Sequence, residues 1–219
     1  MAGKLIFCAC GTGGCRIIDV SDPYDPQIAG IVGGATSGVW VENNLLFTVS
    51  SSSGLKIHDV SDPGAVNTLG DLSLEGYPSR VCASGNYAYV ANSTTNPGGG
   101  VQVVDASDPE NPVLAGAYSG YASYIAMSGQ TVVTTGGGSG CTFLDVSDPA
   151  SPQMVHHMPL PWSMNELFVS GDLGFTGSNG FRVFDISDKS APQQIGYHET
   201  AGSLAAALGD IAVYIPKSM

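Results

Sequence analysis

Short apolar runs alternate with breaks rich in Gly, Ser, Asn and Pro along the whole chain. One stretch shows the pattern well: SRVCASG, NYAYVAN, GVQVVDASD and PVLAGAYSG follow one another with turn residues between them. The runs are rich in Val, Ile, Tyr and Phe and too short for ordinary helices. Each reads as a β-strand bounded by turns.

The pattern recurs as an internal repeat. IIDVSDPYDPQIAG, IHDVSDPGAVNTLG, VVDASDPENPVLAG, FLDVSDPASPQMVH and VFDISDKSAPQQIG align on Asp19, Asp59, Asp105, Asp145 and Asp185, at intervals of 40, 46, 40 and 40 residues. The one long interval holds an insertion, NSTTNPGGG. Four strands in such a period is the signature of a propeller blade. The expected fold is all-β: a five-bladed β-propeller of four-stranded antiparallel blades, forming one domain over residues 1–219.

The strand count sharpens that expectation. GKLIFCACG matches a second strand, so the chain starts inside a blade, and GSLAAALGD and IAVYIPKSM at the end match a first and a second strand. The C-terminal first strand is expected to complete the N-terminal blade, closing the ring by overlap of the termini and removing exposed edges. One terminal strand is then left over. Three readings account for it: a fragment of a longer repeat protein, pairing with a neighbouring molecule, or a five-stranded blade.

The segments quoted above, each preceded by a strand such as NYAYVAN, resemble the LVIVD-repeat family over essentially the whole chain. Lys189 stands for a motif proline, Val66 for the second proline and His156 for the usual glycine. The resemblance implies a propeller, often in surface and exported proteins. It implies no single activity and supplies no catalytic residues.

The Asp-Ser-Asp-Pro segments have a local reading of their own. Short Asp and Ser side chains bond nearby backbone N–H groups and Pro presets φ, so these are turns between third and fourth strands. A ring of calcium-binding carboxylates would need six to eight converging oxygens, and turns on successive blades lie too far apart for that. The turns supply more than half of the 19 acidic residues, so the net charge of −12 is largely a by-product of the repeat. Seven Lys and Arg argue against nucleic acid, which needs clustered basic side chains, and against an anionic membrane surface. No apolar run approaches a membrane span. The opening MAGKLIFCACGTGG runs on into repeat structure and does not read as a signal peptide. By that reading the protein is cytoplasmic or begins after a removed leader, while the family resemblance favours an extracellular or cell-surface location.

Propeller ligands usually bind at one end of the central channel, where the first strands begin. Aligning those strands gives a column of Ser37, Ser79, Ser123, Asn165 and Ser203. Arg80, Tyr124 and Glu166 follow it, and Tyr77, Tyr121 and Trp162 precede it. These residues suit a polar small molecule or a glycan. Equally, the serines could serve strand ends and the aromatics cover the channel mouth. The weakly charged loops CGTGGC, SSSSG, NSTTNPGGG, TGGGSG and GSNG lie at the same end. No Lys-Ser/Thr follows their glycines, so they are not phosphate loops.

The repeat also explains the cysteines. Cys8 shares a slot with Thr48, Val90, Thr134 and Thr176. Cys15 and Cys141 share one with Leu55, Val101 and Phe181, and Cys82 one with Trp40, Ala126 and Phe168. These are packing slots, and five cysteines cannot form a complete disulfide framework. A Cys10–Cys15 bridge across one hairpin is left open. No metal or other cofactor is expected. His58 takes a strand slot held elsewhere by Ile18, Val104 and Leu144, where an imidazole needs a polar partner. His156 and His157 are adjacent in a strand and point to opposite faces.

The leading functional reading is a non-enzymatic scaffold for protein–protein binding or assembly, through a protein partner or self-association by a terminal strand. Two others compete: a hydrolase or lyase at the channel mouth using Glu166, Arg80 and a nearby Tyr, and a lectin-like sugar binder with equivalent pockets between blades. The enzyme reading needs Glu166 and Arg80 in one deep pocket.

Overall fold

The computed structural model describes residues 4–94, 98–136, 140–160, 166–177, 180–199, 202–208 and 211–216, the last two stretches as backbone. Twenty-one strands fall into six antiparallel sheets in strict chain order. The first sheet holds β1 (Leu5–Ala9), β2 (Cys15–Asp19) and β3 (Gln27–Val32). The second holds β4 (Gly38–Glu42), β5 (Leu45–Ser50), β6 (Gly54–Asp59) and β7 (Asn67–Leu72). The third holds β8 (Pro78–Ser84), β9 (Tyr87–Asn92), β10 (Gly100–Asp105) and β11 (Val113–Ser119). The fourth holds β12 (Tyr124–Ser128), β13 (Thr131–Thr135), β14 (Cys141–Asp145) and β15 (Gln153–Met158). The fifth holds β16 (Phe168–Ser170), β17 (Leu173–Thr176), β18 (Phe181–Asp185) and β19 (Gln193–His198). The sixth is the hairpin β20 (Gly202–Leu208) and β21 (Ile211–Pro216).

Each four-stranded sheet is a meander whose first strand lies beside the first strands of its neighbours. This is propeller architecture. Ring closure is not seen among the described residues: β20 pairs with β21 from Gly202↔Pro216 to Leu208↔Ile211, and no ladder joins β20 to β1. Among the described residues the first sheet therefore has three strands, and β1 pairs with β2 alone. The physical reason lies in the spare strand. β1 and β21 both hold the second place in a blade, so they compete for the same side of β20.

The core lies between sheets, where apolar faces of neighbouring blades meet. Ile17 and Cys15 pack with Leu46 and Val60 between the first and second sheets. Phe47, Val49 and Ile57 pack with Val81, Ala83 and Val104 between the second and third. Tyr89 and Val103 pack with Val132, Leu144 and Val146 between the third and fourth. Val133 and Phe143 pack with Phe184 and Ile186 between the fourth and fifth.

A second device fastens blade to blade. In every blade the third and fourth strands shift register at the same place, after Ile17, Ile57, Val103, Phe143 and Val183. Opposite those residues stand Gly30, Gly70, Gly116, His156 and Gly196. The next blade's Asp-Pro turn seats on this slot: a Cβ on Gly30 would collide with the Pro63 carbonyl, one on Gly70 with Pro109, and one on Gly116 with Pro149. Glycine is required there for close backbone approach. His156 and Lys189 are two exceptions to the repeat, and in the turn that carries Lys189 hydrogen bonds from Ser190 hold the Asp188 carboxyl below its usual range. Lys189 also reaches Asp172 at 3.6 Å and donates to the Ile186 carbonyl.

Candidate functional site

The inner-strand mouth is built from backbone carbonyls and short side chains. Ser79 Oγ lies 3.2 Å from both the Ala91 and the Ser123 carbonyl oxygens, tying the third sheet to the fourth. Arg80 Nη1 donates to the Ser37 carbonyl at 2.8 Å, tying the third sheet back to the second, and also to the Ser79 carbonyl at 2.8 Å. Its guanidinium lies 5.0 Å from the Tyr124 ring centroid, a cation–π contact with the fourth sheet. Ser37 N donates to Val49 O and Ser123 N to Thr135 O, each extending a first-strand ladder. So Ser37, Ser79, Arg80, Ser123 and Tyr124 are brought together, and they also hold three first strands in place.

Glu166 is half-buried just ahead of β16. Trp162 and Asn165 lie outside the described residues, as does the Ser203 side chain, although Ser203 belongs to β20. Tyr77 and Tyr121 are 59% and 38% exposed. The fully buried Asn92 positions Tyr77, its Oδ1 accepting from Tyr77 N at 2.6 Å while its amide donates to Gln102 Oε1 at 3.3 Å.

The Asp-Ser-Asp-Pro turns are as the sequence predicts. Asp19, Asp59, Asp105, Asp145 and Asp185 each accept from the backbone N–H two residues on, at 2.8–2.9 Å. Hydrogen bonds from Ser21, Ser61, Ser107, Ser147 and Ser187 hold these carboxyls below their usual range. Among the described residues no three His, Cys, Asp or Glu side chains gather as a metal site.

None of the five cysteines is in a disulfide, so the open Cys10–Cys15 bridge is not formed. Burial pushes the Cys15 thiol up to about 11 and those of Cys82 and Cys141 up to about 12, leaving them protonated at neutral pH. His58 finds its partners across the sheet, Nε2 on Thr48 Oγ1 at 3.0 Å and Nδ1 on Thr68 Oγ1 at 2.9 Å. Burial lowers its pKa to about 4, so the imidazole is neutral.

Two features escape reading by repeat alone. One is the glycine slot, signalled by Gly30, Gly70, Gly116 and Gly196 at one distance after their turns but invisible as a contact between blades. The other is a cleft between the third and fourth sheets, lined by Tyr87, Tyr89 and Gln130. Its signal was present too, because neither Tyr87 nor Tyr89 has a Tyr counterpart in any other repeat.

Blade-by-blade sheets around serially adjacent first strands define a repeat propeller. The LVIVD repeat matches residues 2–32, 33–71, 75–120, 119–158 and 164–200, and the chain belongs to this repeat family. No curated protein matches the chain. Solved structures similar in fold include the computationally designed Ika8 protein, at TM-score 0.70 and 13% identity over 99% of this chain and 66% of that one. U3-55K is similar at TM-score 0.70 and 14% identity, over 93% of this chain and 66% of that one. The designed Ika4 protein gives TM-score 0.56 and 12% identity, over 74% of this chain and 99% of that one. The chain thus spans just under two thirds of the first two.

Proposed function

We propose that the protein is a non-enzymatic repeat scaffold for protein–protein binding or assembly, and that a second copy of the chain is among its partners. One observation carries this reading. In three blade junctions a turn seats on a fourth-strand glycine slot, and among the described residues neither the Gly196 slot nor the exposed Asp22–Tyr24 turn has such a partner. Gly196 meets only Val183 of its own blade within 4 Å among the described residues. Asp22, Pro23 and Tyr24 are all exposed, Tyr24 at 96%. Head-to-tail contact of this kind is heterologous and propagates from copy to copy.

A specific observation also favours closure within one chain: among the described residues β1 pairs with β2 alone, and β20 holds the place of a first strand. Such closure seats β20 on β1, releases β21 and brings the Pro23 turn to Gly196 of the same molecule. Sedimentation velocity over a wide concentration range separates the two. Assembly gives a concentration-dependent rise in sedimentation coefficient; a monomer at every concentration defeats it. In either state the mouth residues Ser37, Ser79, Arg80, Ser123, Tyr124, Trp162, Asn165, Glu166 and Ser203 form the candidate contact set for a protein partner, a small polar molecule or a glycan.

A further inference from the structure

The third and fourth sheets leave a cavity of about 370 Å³ between them, on the side of the Asp-Pro turns. Tyr87 and Tyr89 from β9 wall one side, two residues apart and so on one face of the strand. Met127 and Gln130 wall the other, with Ser84 and Ser147 at the rim. The lining carries no ionisable group except the two phenols.

This cleft departs from the repeat where its chemistry lies. The Tyr89 slot holds Phe7, Phe47, Val133 and Phe175 in the other blades. The Tyr87 slot holds Leu5, Leu45, Thr131 and Leu173. A scaffold that needs only packing there is served by Phe and Leu, so the two phenols need another explanation. The corresponding cleft between the first and second sheets, about 490 Å³, uses Leu5 and Phe7 in their place and adds the charged Asp19.

Tyr89 is 4% exposed, and its hydroxyl has no hydrogen-bond partner among the described residues. Buried Tyr hydroxyls ordinarily find one. Tyr89 lines the cleft. Burial pushes its pKa up to about 12, which keeps it a neutral donor.

We propose that this cleft binds a neutral saccharide, with the sugar's C–H face on the Tyr87 ring and a sugar hydroxyl taking the Tyr89 O–H. An uncharged ligand follows from uncharged walls. A hydroxylated ring follows from an aromatic face set beside an amide, two serines and an unused phenol. The site is separate from the inner-strand mouth and from the open joint, so its failure leaves the assembly reading standing.

The test is saturation-transfer difference NMR on the whole chain with methyl glucoside, galactoside, mannoside and N-acetylglucosaminide, and with maltose, cellobiose and lactose. Two variants accompany it, Tyr89→Phe and Tyr87→Leu, each installing the residue other blades use, with thermal melting to verify that folding is kept. At least one sugar is expected to receive saturation. Removing the Tyr89 hydroxyl should weaken that sugar by about 5- to 10-fold, the scale of one neutral hydrogen bond. Removing the Tyr87 ring should weaken it by about tenfold. No transfer to any sugar in the panel, or equal binding by both variants and the unmodified protein, overturns the proposal.

Discussion

His58 stands where other blades place Ile18, Val104 and Leu144, and it is tolerated because Thr48 and Thr68 face its two ring nitrogens. His58→Ala leaves the buried Thr48 hydroxyl unpartnered, while the exposed Thr68 hydroxyl can turn to water, and opens a hole where the 1% exposed ring sat. Chemical denaturation is expected to show a loss of about 2–4 kcal/mol. The same residue makes stability pH-dependent. In the unfolded chain it takes up a proton near 6.5, in the folded protein only near 4. The unfolded state therefore binds more protons in that window, and stability falls as pH drops from 6.5 toward 4. Below 3.8 the turn carboxyls add a loss of the same sign, because hydrogen bonds hold their pKa values below that value in the folded state. Thermal melting across pH 3–7 should show the first decline in the unmodified protein and not in His58→Leu. His58 was legible in the sequence as a packed residue needing a partner. The identity of the two threonines was not, because strand register sets it.

At the scale of strands and turns, the repeat made blades readable from sequence. The four predicted strands of the third blade correspond to Pro78–Ser84, Tyr87–Asn92, Gly100–Asp105 and Val113–Ser119. Period-2 patterning and turn residues are local signals, which is why they sufficed. The joint between blades is not local. Gly116 and Pro149 are far apart in sequence and meet only when two finished sheets stack. Gly116→Val drives a branched side chain into the Pro149 and Ala150 carbonyls. It is expected to cost about 1–3 kcal/mol, the usual range for overpacking, measurable by urea denaturation. Gly196→Val should cost the isolated chain much less, since only Val183 Cβ and Cγ2 lie near, at 3.4 Å. Equal destabilisation by the two substitutions would show the Gly196 slot to be filled in the monomer.

Over the whole molecule, the count of twenty-one strands was legible, but their final pairing was not. Two strands of the same type, β1 and β21, fit the same side of β20, and no local pattern ranks them. The candidate mouth was legible in part. Arg80 and Tyr124 do meet, with the guanidinium 5.0 Å from the ring. The serines around them turn out to link neighbouring inner strands, a task the column of hydroxyls alone did not reveal. The open joint is therefore the feature on which the assembly reading depends, and complementation tests it most directly. One variant carries Gly196→Val and keeps its Pro23 turn. A second carries Pro23→Gly and Tyr24→Gly and keeps its Gly196 slot. Sedimentation equilibrium of each alone and of an equimolar mixture is the measurement. Each variant alone is expected to stay monomeric, and the mixture to form a dimer that grows no further, because only one intact joint can then form per pair. A mixture that stays monomeric at concentrations where the unmodified chain associates would contradict head-to-tail assembly.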